Sequence, residues 1–180
     1  MITVLSDTHG TDGHRLEGRT LEAVRAADLV IHAGDFTTEA VLDAFESEAG
    51  ADADGDGEFV AVYGNNDDAG TRGRLEAART VEWAGFRFVV VHGHEHDDTA
   101  LSLLGRQERA DVVVVGHSHE PGRRAMGAVT VLNPGSHADP RWYRPAHAEL
   151  DPTEEGLRGR LVAPDGEVYS EFDLPATGRE

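Results

Sequence analysis

Five short apolar runs in this sequence each end on Asp, Asn or His, usually beside a glycine. Asp7-Thr8-His9 follows Ile2-Thr3-Val4-Leu5, and Gly34-Asp35 follows Leu29-Val30-Ile31-His32-Ala33. Gly64-Asn65-Asn66-Asp67 follows Phe59-Val60-Ala61-Val62-Tyr63. His92-Gly93-His94 follows Phe88-Val89-Val90-Val91, and Gly116-His117-Ser118-His119 follows Val112-Val113-Val114-Val115. Short β-branched and aromatic runs bounded by such residues read as strands. Strands this apolar must be stacked inside a sheet, and their polar ends then fall along one edge. In open α/β sheets that carboxyl edge is where ligands bind.

The spacing predicts strand 2–6, helix 14–27, strand 28–33, helix 38–49, strand 58–63 and a short helix near 71–78. Residues 81–84 and 86–91, separated by Gly85, read as a hairpin. A helix follows from Asp98 to Arg109, with Asp98 or Thr99 as its N-cap. Residues 111–115 form a nearly continuous apolar strand, the kind buried on both faces. Candidate strands 128–132, 146–150, 159–163 and 168–174 follow, with Pro164-Asp165-Gly166 as a turn. Alternating β and α elements followed by meandering β imply two packed sheets with helices outside them. At 180 residues this is one domain, 1–175, with a short polar tail at 176–180.

Charge separates function classes. Asp and Glu number 34 against 16 basic residues, all of them Arg, for a net charge of −18. Such a surface disfavours nucleic acid as a partner, since that needs a basic footprint. It repels itself at low salt, as a salt-adapted, halophile-like protein would. No run of 18 apolar residues is present, so no membrane helix is expected. Without cysteine, disulfides and thiolate sites are impossible. With no signal core at the N-terminus, the expected compartment is the cytoplasm. Asp52-Ala53-Asp54-Gly55-Asp56-Gly57 starts like a calcium loop, but Tyr63 stands where that loop needs a bidentate Glu, so it reads as an acidic turn.

The strand-end residues offer a coherent chemistry. Asp7 and Asp35 are hard oxygen donors, His9, His92, His117 and His119 offer imidazole nitrogen, and Asn65 offers a neutral amide oxygen. Mixed N and O donors without sulfur suit Mn, Fe, Ni, Co or Zn. Seven are too many for one ion but suit two ions sharing a carboxylate. Two ions about 3.5–4 Å apart can clamp a phosphoryl group for in-line attack by a bridging hydroxide. With two carboxylates and that hydroxide the site keeps about one positive charge, which favours a small phosphate ester.

The order D-x-H, G-D, G-N-x-D, H-G-H, G-H-x-H resembles the calcineurin-like metallophosphoesterase superfamily. Gly64-Asn65-Asn66-Asp67 and Leu132-Asn133-Pro134-Gly135-Ser136 resemble its small, single-domain YfcE-type phosphodiesterases. The resemblance implies a four-layer α/β/β/α sandwich of two mixed sheets. It implies Asp7, His9 and His119 on a first metal, Asn65, His92 and His117 on a second, and Asp35 between them, with manganese or nickel as the metal. It implies a phosphodiesterase; a phosphomonoesterase of small metabolites and a scaffold module on the same fold are the alternatives. The wider superfamily often has His, a proton donor, after the ligand Asn. Here that position is Asn66, which can donate a hydrogen bond but not a proton. His94 and metal-bound water are the stand-in candidates, and esters with good leaving groups are the expected better substrates. His32 is expected in the core, His96 in solvent, and His14, His137 and His147 on the surface or in loops. Asp67 is expected to orient the ligands or the neighbouring loop. Trp142 and Tyr143 are candidates for rim packing or an interface.

Overall fold

The computed structural model describes residues 1–50 and 57–175. The acidic turn expected from Asp52 onward and the tail 176–180 lie outside the described residues. The elements run β1 Ile2–Leu5, α1 Gly18–Ala26, β2 Leu29–His32, α2 Glu39–Glu48, β3 Glu58–Ala61, α3 Ala69–Arg74, β4 Ala78–Trp83 and β5 Phe86–Val91. They continue α4 Asp98–Gln107, β6 Val112–Val114, β7 Gly122–Met126, β8 Val129–Asn133, β9 His147–Thr153, β10 Gly156–Val162 and β11 Val168–Pro175.

The strands form a six-stranded sheet in the order β11-β10-β9-β1-β2-β3 and a five-stranded sheet in the order β4-β5-β6-β8-β7. Both are mixed. β1, β2 and β3 run parallel, as do β5, β6 and β8, and antiparallel strands extend each sheet. Period-two alternation sorts the side chains into layers. Val4, Ile31, Val60, Phe88, Val90, Val114 and Leu150 meet in the core between the sheets. Leu5 and Val30 face the other way, onto Val24 of α1 and Val41, Leu42 and Phe45 of α2. Val89, Val91, Val113 and Val131 pack under Leu101 of α4. The result is the four-layer α/β/β/α sandwich expected of this sequence.

Several boundaries differ for identifiable reasons. α1 starts at Gly18 rather than residue 14, because the His14 ring accepts the Leu16 N–H and holds that segment in a loop. α3 runs 69–74 rather than 71–78, capped by Asp68, and ends where Glu76 bridges to Val62. The N-cap of α4 is Asp97, one residue before the expected pair, and it accepts the Ala100 N–H at 2.8 Å. Strand β7 has no counterpart among the expected elements. It is an edge strand carrying Arg123 and Arg124, and edges use charge to discourage further pairing, which erases the apolar alternation.

Two histidines expected near the surface are buried. His137 is enclosed beside Phe45. His147 lies on the α1 side of β9, with Glu149 two residues on. Arg19 of α1 grips Glu149 with two hydrogen bonds of 2.7 and 2.8 Å. Arg160 of β10 adds a third at 3.0 Å and His147 Nε2 a fourth at 3.0 Å, while Thr20 bonds His147 Nδ1. A polar cluster, not an apolar one, docks the helix on this part of the sheet. His32 is buried and satisfied as expected, donating to Thr8 Oγ1 and accepting the Gly34 N–H. His96 is half-buried rather than solvated.

Candidate metal centre

The parallel strands of both sheets end at the same rim, so the loops after β1, β2, β3, β5 and β6 converge. The loop after β1 is laced to the loop after β2 beyond the last strand residues. Asp7 N–H donates to Gly34 O at 2.9 Å, and His9 N–H to Asp35 O at 3.0 Å. Across the other sheet, Gly116 N–H donates to His92 O at 3.0 Å. Asp7, His9, Asp35, His117 and His119 all have positive φ, between 47° and 66°. Left-handed backbone at non-glycine residues is strained and clusters at functional sites. Glycines do two different jobs here. Gly34 has φ 95°, a left-handed turn that favours glycine. Gly64 and Gly116 instead make room: a Cβ would lie 2.1 Å from Asp35 Oδ1 and 1.8 Å from Ser6 Oγ respectively.

The seven expected ligand residues come together. Ring nitrogens and carboxylate oxygens of Asp7, His9 and His119 lie within 4.8 Å of one another, and so do those of Asp7, Asp35 and His92. His9 Nε2 is 3.3 Å from His119 Nε2 and 3.5 Å from Asp35 Oδ2. His92 Nε2 is 3.3 Å from the same Asp35 Oδ2. Asn65 Oδ1 sits 3.1 Å from His92 Nε2 and 3.0 Å from His117 Nδ1. Of the two expected catalytic residues, Asn66 donates its amide to Asp35 Oδ2 at 2.7 Å and its backbone N–H to Oδ1 at 2.8 Å. His94 is exposed, its ring 5.5 Å from that of His92 and 6.2 Å from that of His117.

The surrounding residues fix which atoms face inward. His92 Nδ1 donates to Ala33 O at 2.8 Å, and His119 Nδ1 donates to Asp139 O, so both rings turn Nε2 toward the carboxylates. A nitrogen lone pair this close to carboxylate and amide oxygens is held there by a cation, either a proton or a metal ion. No arginine pairs with Asp7 or Asp35 among the described residues, and buried carboxylates of that kind are paired or bind metals. The donor set thus fits divalent ions. Asp67 accepts the N–H groups of Asp35, Thr37 and Gly64, tying two ligand loops together as expected. Asn133 donates to Gly116 O and Ser118 Oγ, and Ser136 Oγ donates to Asp7 O, so the Asn133–Ser136 turn braces the rim.

Electrostatics follow from this crowding. Burial pushes the Asp7 carboxyl up to about 7 against the opposing pull of His92 and Ser6. Burial acts the same way on Asp35, but hydrogen bonds and charge from His92, with two bonds from Asn66, hold that carboxyl well below its usual range. Burial also keeps His9, His94, His117 and His119 toward their neutral, ligand-competent form. Ser6 and Asp139 escaped sequence reasoning, and Ser136 entered it only as part of the Leu132–Ser136 motif. Asp139 acts through its backbone carbonyl, which has no residue signature; Ser6 could have been suspected from its place beside Asp7.

The model of the calcineurin-like phosphoesterase superfamily domain matches residues 1–155. This chain belongs to that superfamily. A probable metallophosphoesterase of Methanothermobacter thermautotrophicus is 32% identical over 168 residues, covering 90% of this chain and 91% of that protein. An archaeal phosphodiesterase has a similar structure, with TM-score 0.64 and 25% identity over 89% of this chain and 99% of its own. The fold is shared with the YfcE phosphoesterase of E. coli, at TM-score 0.64 and 18% identity, covering 96% and 98% of the two chains. It is also shared with zinc-bound Vps29 of Entamoeba histolytica, at TM-score 0.75 and 21% identity over the same shares.

Proposed function

We propose that this protein is a phosphodiesterase working through two divalent metal ions. The observation that carries the reading is the position of Asp35 Oδ2, 3.5 Å from His9 Nε2 and 3.3 Å from His92 Nε2. One carboxylate oxygen thus faces an imidazole from each ligand group. Asp7 is the less suitable bridge. Although it lies near both ligand groups, its imidazole contacts, 3.8 Å from His9 Nε2 and 3.4 Å from His119 Nε2, both fall on one side. On this reading Asp7, His9 and His119 hold one ion, Asn65, His92 and His117 the other, and Asp35 both.

Bound there, the two ions would supply an activated water and positive charge for the phosphoryl oxygens. The protein's own contribution is orientation. The Ala33 and Asp139 carbonyls set the two imidazole tautomers. Asn66 holds the bridging carboxylate, a role that needs a donor and no proton. His94, exposed at the rim beside the His92 and His117 rings, serves as hydrogen-bond partner to the phosphate or its leaving group. The mixed N and O donors suit manganese, nickel, zinc, iron or cobalt alike, and the family resemblance favours manganese or nickel.

A diester is favoured over a monoester because the rim is open. Asn65, Asn66, His94 and His117 are all exposed, so a phosphate with two substituents can reach the ligands. A scaffold role is the second reading, motivated by the likeness to Vps29. The test is hydrolysis of bis-p-nitrophenyl phosphate against p-nitrophenyl phosphate after EDTA treatment and return of Mn²⁺ or Ni²⁺. Metal-restored cleavage that favours the diester supports the proposal. Cleavage of the monoester alone would replace it with a phosphomonoesterase. Metal uptake with no turnover of either would favour the scaffold.

A further inference from the structure

The segment after the Asn133–Ser136 brace does more than position His119. Tyr143 N–H closes on Pro140 O at 2.9 Å, making a turn with Arg141 and Trp142 at its two corners. The turn is anchored to the site, since the Asp139 carbonyl, just before it, receives His119 Nδ1. Arg141 has φ 53°, so its place at the corner is held against backbone preference.

Both corner side chains lack a hydrogen-bond or ion-pair partner among the described residues. In a chain of net charge −18, nine arginines form ion pairs with carboxylates among the described residues. Arg141 has no ion pair or side-chain hydrogen bond among those residues, despite this excess of partners. It lies two residues beyond Asp139, whose carbonyl holds the His119 ring at the rim of the candidate centre. An arginine beside the candidate centre and free of carboxylates is available to a phosphate, which its planar fork binds well. Trp142 is 92% exposed and stacks on no other ring among the described residues. An indole left in water one residue from a phosphate-seeking guanidinium is available to a planar group on the same ligand.

We propose that Arg141 and Trp142 form a substrate clamp, and that the diester carries a planar heteroaromatic group of nucleoside type. The proposal rests on the phosphodiesterase reading. Arg141 holds a non-bridging phosphoryl oxygen, and Trp142 stacks on the nucleobase of the ester arm that is retained after cleavage. Neither residue takes part in proton transfer or metal binding; they are specificity residues.

The experiment compares two diesters with the same leaving group: thymidine 5′-p-nitrophenyl phosphate and methyl p-nitrophenyl phosphate. In the manganese-loaded protein, Trp142→Ala is expected to raise KM about tenfold for the thymidine ester and to leave the methyl ester within about twofold. Arg141→Gln is expected to raise KM for both alike. Trp142 is exposed, so its loss should leave folding intact, and the methyl ester reports this directly. Equal effects of Trp142→Ala on both esters, or none on either, overturn the clamp while leaving the phosphodiesterase reading standing. If no diester is cleaved, that reading fails, and fluorescence still decides the clamp. With Trp83→Phe, Trp142 is the sole tryptophan of the chain's two. Saturable quenching by thymidine 5′-monophosphate but not by methyl phosphate supports stacking, and absence of quenching refutes it.

Discussion

Glu149 is buried to 1% exposure yet its carboxyl is held at about 2 rather than 4.5. Burial alone would raise it; hydrogen bonds from His147 and Arg19, and their charges, reverse the sign. The folded state therefore keeps Glu149 ionised where the unfolded chain is protonated. The stabilisation is complete above pH 4.5 and is lost as the pH falls through 4.5 toward 2. At 1.36 kcal/mol per pH unit of difference, it amounts to about 3 kcal/mol at pH 7, about 1.4 kcal/mol at pH 3 and almost nothing below pH 2. Glu149→Gln removes the titration and keeps the shape. The assay is urea unfolding of both proteins at pH 7 and pH 3 in molar KCl, read as the difference between them, so that other carboxylates cancel. The stability gap should narrow by about 2 kcal/mol between the two pH values. A gap independent of pH would refute the account of Glu149 as an ionised anchor for α1.

Three further outcomes are expected. Asp35→Asn should lower turnover at least about 100-fold and reduce bound metal measured by mass spectrometry, because it removes charge from both ligand groups; unchanged metal content and rate would exclude a shared carboxylate. Since Asn66 cannot donate a proton, rates across aryl and alkyl diesters should fall steeply as the leaving-group pKa rises, and a flat series would show that another group protonates it. Unfolding midpoints should rise from 0.1 M to 2 M KCl, because about 1 M salt cuts the screening length to about 3 Å; equal midpoints would contradict salt adaptation.

The proposed ligand residues were legible because their chemistry leaves a mark at a fixed place, the end of an apolar run. His92 and Asp35 can be found from the strands that carry them. The layers follow from alternation along Phe88, Val89, Val90 and Val91 on one sheet, and along Val4 and Leu5 on the other. The β9 cluster was not legible, for a physical reason. His147 and Glu149 alternate with Ala148 and Leu150, which is the pattern of a strand with one wet face. That face is dry only because Arg19 and Thr20 arrive from α1, far away in the sequence. β7 was hidden by its edge charges, and the contribution of Asp139 by being a backbone carbonyl.

The left-handed backbone at Asp7, His9, Asp35, His117 and His119 has a consequence for anyone who would engineer this protein. Each of these positions would relax if it were glycine, by about 1 kcal/mol or more. On the two-metal proposal, a search for thermostable variants carried out with chelator present would therefore be drawn to the residues of the proposed centre, and would enrich sturdier chains that no longer bind metal. The same search with Mn²⁺ in the buffer would reverse that preference, since bound ions stabilise only the chains that keep their ligands.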